Sequence, residues 1–146
     1  MAKKIRKVTI PLRIISIQDE GFHILLDVKI NRKQSVLVLD TGASRTVLDI
    51  HRMKKILNKK SFRESEAIST GLGTNSMKSF VENIERLDIG SLSIRNYNAV
   101  LLDLSHVNQS LAVIGITELD GVLGGDLLKK HNAIIDYAKS ILVLHR

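Results

Sequence analysis

A mainly β fold is predicted for this 146-residue chain, and three observations predict it. Aromatic residues are few, two Tyr and three Phe with no Trp, so the core must come from Ile, Leu and Val, which favour strands when they alternate. Short apolar stretches recur along the chain between turns rich in Gly, Asn and Asp. Helical spacing, by contrast, is brief wherever it occurs. The length suits one ordinary domain, and a hydrophobic content of 44% is enough for a core without disulfides or metal. Residues 1–146 are therefore expected to form a single domain, with residues 1–7 as a basic N-terminal extension.

The elements follow in order. Val8 to Ile17 and Phe22 to Ile30 are β-rich on either side of an Asp19-Glu20-Gly21 turn. In the second stretch Phe22, Ile24, Leu26, Val28 and Ile30 should face inward and His23, Leu25, Asp27 and Lys29 outward. Asn31-Arg32-Lys33-Gln34 turns the chain, and Ser35 to Leu39, apolar on both faces, reads as a central strand. Val47, Ile50, Met53 and Leu57 then recur three or four apart, which predicts a short helix over Thr46 to Asn58. Glu66 to Ser69 and Met77 to Ile89 are extended around a glycine turn at Gly71-Leu72-Gly73-Thr74, the layout of a hairpin. After Gly90-Ser91, Ser93 to Leu104 is a further strand with Ile94, Val100 and Leu102 as inward positions. A short helix is expected over His106 to Ile114. Gly121-Val122-Leu123-Gly124 is an apolar strand end, and Gly125 to Asn132 is a helix with Asp126 in its first turn and Lys130 and His131 in its last. Ala133 to Tyr137 and Ile141 to Leu144 close the chain as a hairpin.

One segment carries chemistry. Asp40-Thr41-Gly42-Ala43-Ser44 follows directly on Val36-Leu37-Val38-Leu39, so a carboxylate leaves a buried strand into a tight glycine turn. Gly42 permits close backbone approach, and its amide can donate to the Asp40 oxygens. Acid/base work of this type needs a second carboxylate, yet the chain has no second Asp-Thr-Gly or Asp-Ser-Gly. The partner must come from another copy. Two Asp40 carboxylates meeting on a twofold axis could not both ionise near neutrality and would share a proton. One could activate a water while the other polarised a carbonyl.

Leu37-Val38-Leu39-Asp40-Thr41-Gly42-Ala43-Ser44 resembles the active-site motif of retropepsin-like aspartic proteases. Val122-Leu123-Gly124 before a short helix is similar to their second apolar-apolar-Gly signature. The tail Asp120 to Leu128, with Ile134-Ile135-Asp136-Tyr137, resembles the small bacterial members most closely. The resemblance runs from about Phe22 to Leu144. It implies a closed, mostly antiparallel β-barrel with one or two short helices, a homodimer contributing one Asp from each subunit, and a flap over an extended polypeptide substrate. Under it Asp40 is catalytic and Thr41, Gly42 and Ala43 complete the active-site loop, with Thr41 bracing the two copies. Gly71, Leu72, Gly73 and Thr74 form the substrate-binding flap tip, while Val122, Leu123 and Gly124 give structural support. Asp126 and Asp136 are read as helix start and strand end, not as catalytic groups. Alanine at position 43 cannot hydrogen-bond the charged dyad, so the activity expected is highest at mildly acidic pH.

Other chemistries find less support. No cysteine is present, and the five histidines form no metal-ligand pattern, so no cofactor or metal is expected. There is no Gly-x-Ser-x-Gly, and Gly71-Leu72-Gly73 lacks the remainder of a dinucleotide loop. The net charge is +7, with Lys3, Lys4, Arg6, Lys7 and Arg13 in one basic cluster and Arg52, Lys54, Lys55, Lys59, Lys60 and Arg63 in another. Only Phe62 is interleaved among them, which disfavours nucleic acid as a partner. The apolar stretch after the N-terminal lysines is broken by Pro11 and Arg13, and no run is long enough for a bilayer, so a soluble, cytoplasmic protein without a membrane partner is expected. The function expected is that of a homodimeric aspartic endopeptidase. The alternative is a catalytically silent binding or dimerisation module on the same fold.

Overall fold

Alternation of apolar and polar residues sets the strands of the computed structural model, which describes residues 6–17, 21–65, 78–116 and 119–146. The strands are β1 (Lys7–Pro11), β2 (Arg13–Ser16), β3 (Phe22–Ile30), β4 (Lys33–Leu39), β5 (Val47–Asp49), β6 (Arg63–Glu64), β7 (Phe80–Ile89), β8 (Leu92–Leu102), β9 (Gly121–Leu123), β10 (Ile134–Asp136) and β11 (Ile141–His145). The helices are α1 (Ile50–Ile56), α2 (Ser105–Val113) and α3 (Gly125–Lys130), one more than the resemblance implied.

Six strands close on themselves in the order β3-β4-β9-β5-β8-β7 and back to β3. The closing seam is short: Lys29 pairs with Asp88 and Ile30 with Leu87. Asn31, in the turn after β3, reinforces it by donating its amide to the Arg86 carbonyl at 2.8 Å and accepting the Arg86 amide at 3.0 Å. Away from the seam the two strands diverge, β2 pairing with Phe22 to Leu25 and β6 with Phe80 and Val81. Outside the barrel, β1, β11 and β10 form a separate three-stranded antiparallel sheet.

Among the described residues the pairing is antiparallel except at two places. Strand β9 runs parallel to β4, matching Leu37 with Gly121 and Leu39 with Leu123, and β5 runs parallel to β8. The barrel interior is filled by aliphatic side chains such as Leu26, Ile30, Leu37, Leu48, Ile84 and Leu101, with Met53 of α1 buried among them. Val8, Ile10, Leu142 and Leu144 of the outer sheet join the same core.

Three sequence expectations are corrected. Thr46 to Asp49 is not helical: Val47 and Leu48 pair in β5, and α1 starts only after Asp49, whose side chain caps it by accepting the Arg52 amide at 3.0 Å. In β3, Phe22 is 65% exposed, whereas Leu25 is buried in a second cluster with Leu111 of α2, Ile116 and Leu119. In β8, Ala99 and Leu101 face the barrel core and Val100 faces outward, although Leu102 is buried as expected and Ile94 half-buried. The reason is Asn96, whose φ of 51° breaks the alternation midway, so that Leu92 and Ala99 both point inward although seven positions apart.

Candidate active site

Strand β9 is wedged between β4 and β5, and the chain must cross its end to pass from one to the other. Residues 40–46 make that crossing. At the start of β9, close approach of β5 forbids a side chain at Gly121, whose Cβ would stand 2.4 Å from the Val47 carbonyl oxygen. The loop is then held at both ends and in the middle. The Asp40 amide donates to the Leu123 carbonyl at 3.0 Å, the Gly125 amide to the Ala43 carbonyl at 2.7 Å, and the Gly124 amide to Thr46 Oγ1 at 3.0 Å.

Inside the loop, the Ala43 amide donates to the Asp40 carbonyl at 3.2 Å, closing a turn, and the Gly42 amide donates to Asp40 Oδ1 at 2.9 Å. That second bond fixes the carboxylate within its own turn. Asp40, Thr41 and Gly42 are exposed, while Leu39 just before them is buried. Asp40 thus emerges from the core into a groove of about 770 Å³. The walls are mostly aliphatic, including Val38, Val47, Val100 and Val122, with Phe22 and Tyr137 at exposed positions. Among the described residues lining the groove, Asp40 is the only carboxylate. A second hollow of about 460 Å³ adjoins it, and Thr41 and Ile135 line both.

Of the residues singled out from sequence, Asp40, Thr41, Gly42, Ala43, Val122, Leu123 and Gly124 are brought together here. Gly71, Leu72, Gly73 and Thr74, expected as the flap, lie outside the described residues. Asp136 ends β10 and accepts the Lys139 amide at 3.0 Å, a turn role consistent with its reading as a strand end. Asp126 does more than begin α3. Its Oδ1 accepts the Thr46 amide at 2.7 Å and the Thr46 hydroxyl at 2.8 Å, and its Oδ2 accepts the Tyr97 hydroxyl at 2.6 Å. Burial first, and the Asp126 hydrogen bond second, push the Tyr97 phenol well above its ordinary value, so it stays protonated as the donor.

A further pair was missed from sequence. Asp120 is 3% exposed; its Oδ1 accepts Arg52 Nε at 2.7 Å and its Oδ2 accepts the Val36 amide at 2.8 Å. Its backbone amide donates to the Val36 carbonyl at 2.8 Å and its carbonyl accepts from the Asp49 amide at 2.8 Å. One residue thereby links the strands before and after the Asp40 loop. No short-range pattern announces such partners, because they lie 68 to 84 positions apart.

A family model described as aspartyl protease matches residues 26–127, more than half of the chain. The chain belongs to the aspartyl protease family. Solved structures with a similar fold include a retropepsin-like aspartic protease from Rickettsia conorii, 20% identical over 99% of this chain and 96% of that one, with a TM-score of 0.58. The EIAV protease complexed with the inhibitor HBY-793 is 18% identical, covering 80% of this chain and 93% of its own, at a TM-score of 0.55. The retroviral protease-like domain of Ddi1 from Leishmania major is 15% identical over 84% and 92%, at 0.50. No curated protein sequence matches this chain. The closed, mainly β, retropepsin-like barrel is therefore the fold of this aspartyl protease family member, and family and fold together support a protease-type function. Among its described residues no helix is long and apolar enough to cross a membrane.

Proposed function

We propose that this aspartyl protease family member is a homodimeric endopeptidase that hydrolyses peptide bonds with a dyad of two Asp40 carboxylates, one from each copy. The observation that carries the reading is that Asp40 is the lone carboxylate among the described residues of a large apolar groove. One carboxylate cannot act as base and acid in the same step. A second copy supplies the other, and the surface beside Asp40 suits that partner. Among the described residues strand β10 is one edge of the outer sheet, and Ile134 and Tyr137 on it and just after it are 54% and 64% exposed. Ile135 between them lines the groove that holds Asp40. An edge strand with exposed apolar side chains is a template for pairing with another chain.

In the reaction, the ionised Asp40 takes a proton from a water whose oxygen attacks the substrate carbonyl carbon. The protonated Asp40 of the other copy gives its proton to the carbonyl oxygen, forming a neutral tetrahedral diol. Collapse restores the carbonyl, breaks the C–N bond and delivers a proton to the leaving nitrogen. Each loop holds its carboxylate through the Gly42 amide, so the dyad is oriented before substrate arrives. The apolar groove favours an extended peptide with aliphatic or aromatic side chains near the scissile bond.

Digestion of a peptide library across a pH series, with wild type and Asp40→Asn, tests this reading. Cleavage is expected to be highest at mildly acidic pH and to fall by about a thousandfold or more in the variant, whose molecular mass stays that of a dimer. Equal cleavage by both proteins would refute the dyad. A maximum near pH 2 would contradict the part assigned to Ala43.

A further inference from the structure

The Asp40 loop is clamped by each of residues 123–126, and three of the four clamps are main chain to main chain or main chain to hydroxyl. The fourth is the Asp126 carboxylate, which grips the last residue of the loop, the fully buried Thr46, by both its amide and its hydroxyl. From the opposite side the Tyr97 hydroxyl of β8 holds the other carboxylate oxygen at 2.6 Å. The carboxylate is half-buried, and all three contacts are short, charge-assisted hydrogen bonds. None of Thr46, Tyr97 and Asp126 lines the groove.

We infer that Asp126 is the positioning residue of the site: a carboxylate that, steadied by Tyr97, sets the end of the Asp40 loop through Thr46 and so fixes where the Asp40 carboxylate points. The inference rests on the protease reading for its effect on rate, but the latch itself is independent of it. Strand β4 holds the start of the loop, so freedom gained at Thr46, opposed there by the Gly124 amide and at Ala43 by the Gly125 amide, reaches a carboxylate whose own restraint is a single local bond from Gly42. Misplacing a reacting group by about 1 Å costs on the order of a hundredfold in rate. Because the latch residues do not line the groove, substrate binding should be little changed.

Full-length Asp126→Ala, Asp126→Asn and Tyr97→Phe test it by kinetics and by amide hydrogen exchange. Asp126→Ala is expected to lower kcat by about a hundredfold with KM within about twofold of wild type. Asp126→Asn keeps an oxygen for Thr46 and Tyr97→Phe keeps the carboxylate, so both should stay within about tenfold of wild type. Exchange should accelerate at Gly42, Ala43, Thr46 and Gly124 while β7 and β8 remain protected. A wild-type kcat and unchanged loop exchange in Asp126→Ala would overturn the inference, as would a uniform loss of protection with no recovery in Asp126→Asn. If Asp126→Ala fails to fold, loop exchange in Tyr97→Phe and Asp126→Asn decides: local acceleration supports the latch and none refutes it. Should wild type cleave nothing, the protease reading falls and the exchange arm still decides the latch.

Discussion

Gly124 lies so close to the loop it supports that a Cβ built on it would stand 2.5 Å from the Arg45 carbonyl oxygen. Its φ of −114° suits any residue, so the constraint is space and not backbone strain. The obstruction is backbone, which cannot swing aside as a side chain could, and the Ala43 carbonyl oxygen of the same loop would be 2.9 Å from the same atom. Gly124→Ala is therefore expected to destabilise the protein by about 2 kcal/mol or more. It should also displace the loop carrying Asp40. Urea denaturation measures the first effect, and peptide cleavage by the protein that remains folded measures the second.

Asp120 predicts a loss of a different kind. Asp120→Ala would take the side-chain acceptor from the part-buried Val36 amide and remove the buried carboxylate that Arg52 Nε donates to, at a cost of about 3 kcal/mol. Asp120→Asn retains an acceptor for Val36 and should recover part of that stability. Thermal unfolding of the two variants beside wild type checks the order.

The proposed dimer makes Ile134 a point where association and folding separate. Ile134 is 54% exposed, so Ile134→Asp should leave the barrel intact while placing a charge on the edge strand β10. The dimer dissociation constant is expected to rise roughly thirtyfold or more. Sedimentation should then show single chains with an unchanged circular dichroism spectrum, and cleavage should vanish in proportion to the dimer lost. A variant that remains dimeric would place the second copy elsewhere.

Acid should weaken the fold through Asp88, which lies in the barrel seam. Burial alone would raise its pKa, but hydrogen bonds from Ser93 and Arg86 and the charges of Arg86 and Arg95 outweigh burial and hold it below the ordinary 3.8. A carboxylate lowered on folding binds protons more readily when unfolded. Its contribution is complete above 3.8 and is lost as pH falls below that value towards the folded pKa. Asp103 on the surface, lowered by hydrogen bonds from Ser105 and then by His51, adds in the same direction but is screened by solvent. Asp88→Asn should therefore flatten the fall of the urea midpoint below about pH 4.

Strands were legible in the sequence where alternation was regular, as on the inward face of β3 from Ile24 onward, or where a run apolar on both faces marked a central strand, as in β4. The Asp40 loop was legible too, because its glycine turn and preceding apolar strand are local. Alternation misled where local geometry intervened. Asn96, with positive φ, shifts the facing of β8, and Val47 fell into helical spacing with Ile50 although it pairs in β5. Asp49 was the available signal for that boundary, being a favoured cap residue just before the helix. The remainder depends on long-range pairing. Nothing in the neighbourhood of Asp126 or Asp120 indicates that Thr46, Tyr97, Val36 and Arg52 will meet them, so a helix start was the most that position alone could suggest for Asp126.

The wedging of β9 between β4 and β5 also bears on how the molecule is born. Contacts between residues so distant in sequence form late in folding, after much chain entropy has been spent. On the ribosome, Asp40 is synthesised more than eighty residues ahead of Leu123, Gly125 and Asp126, which fasten its loop. Until those residues emerge, the nascent polypeptide carries Asp40 on a loop whose fastenings do not yet exist.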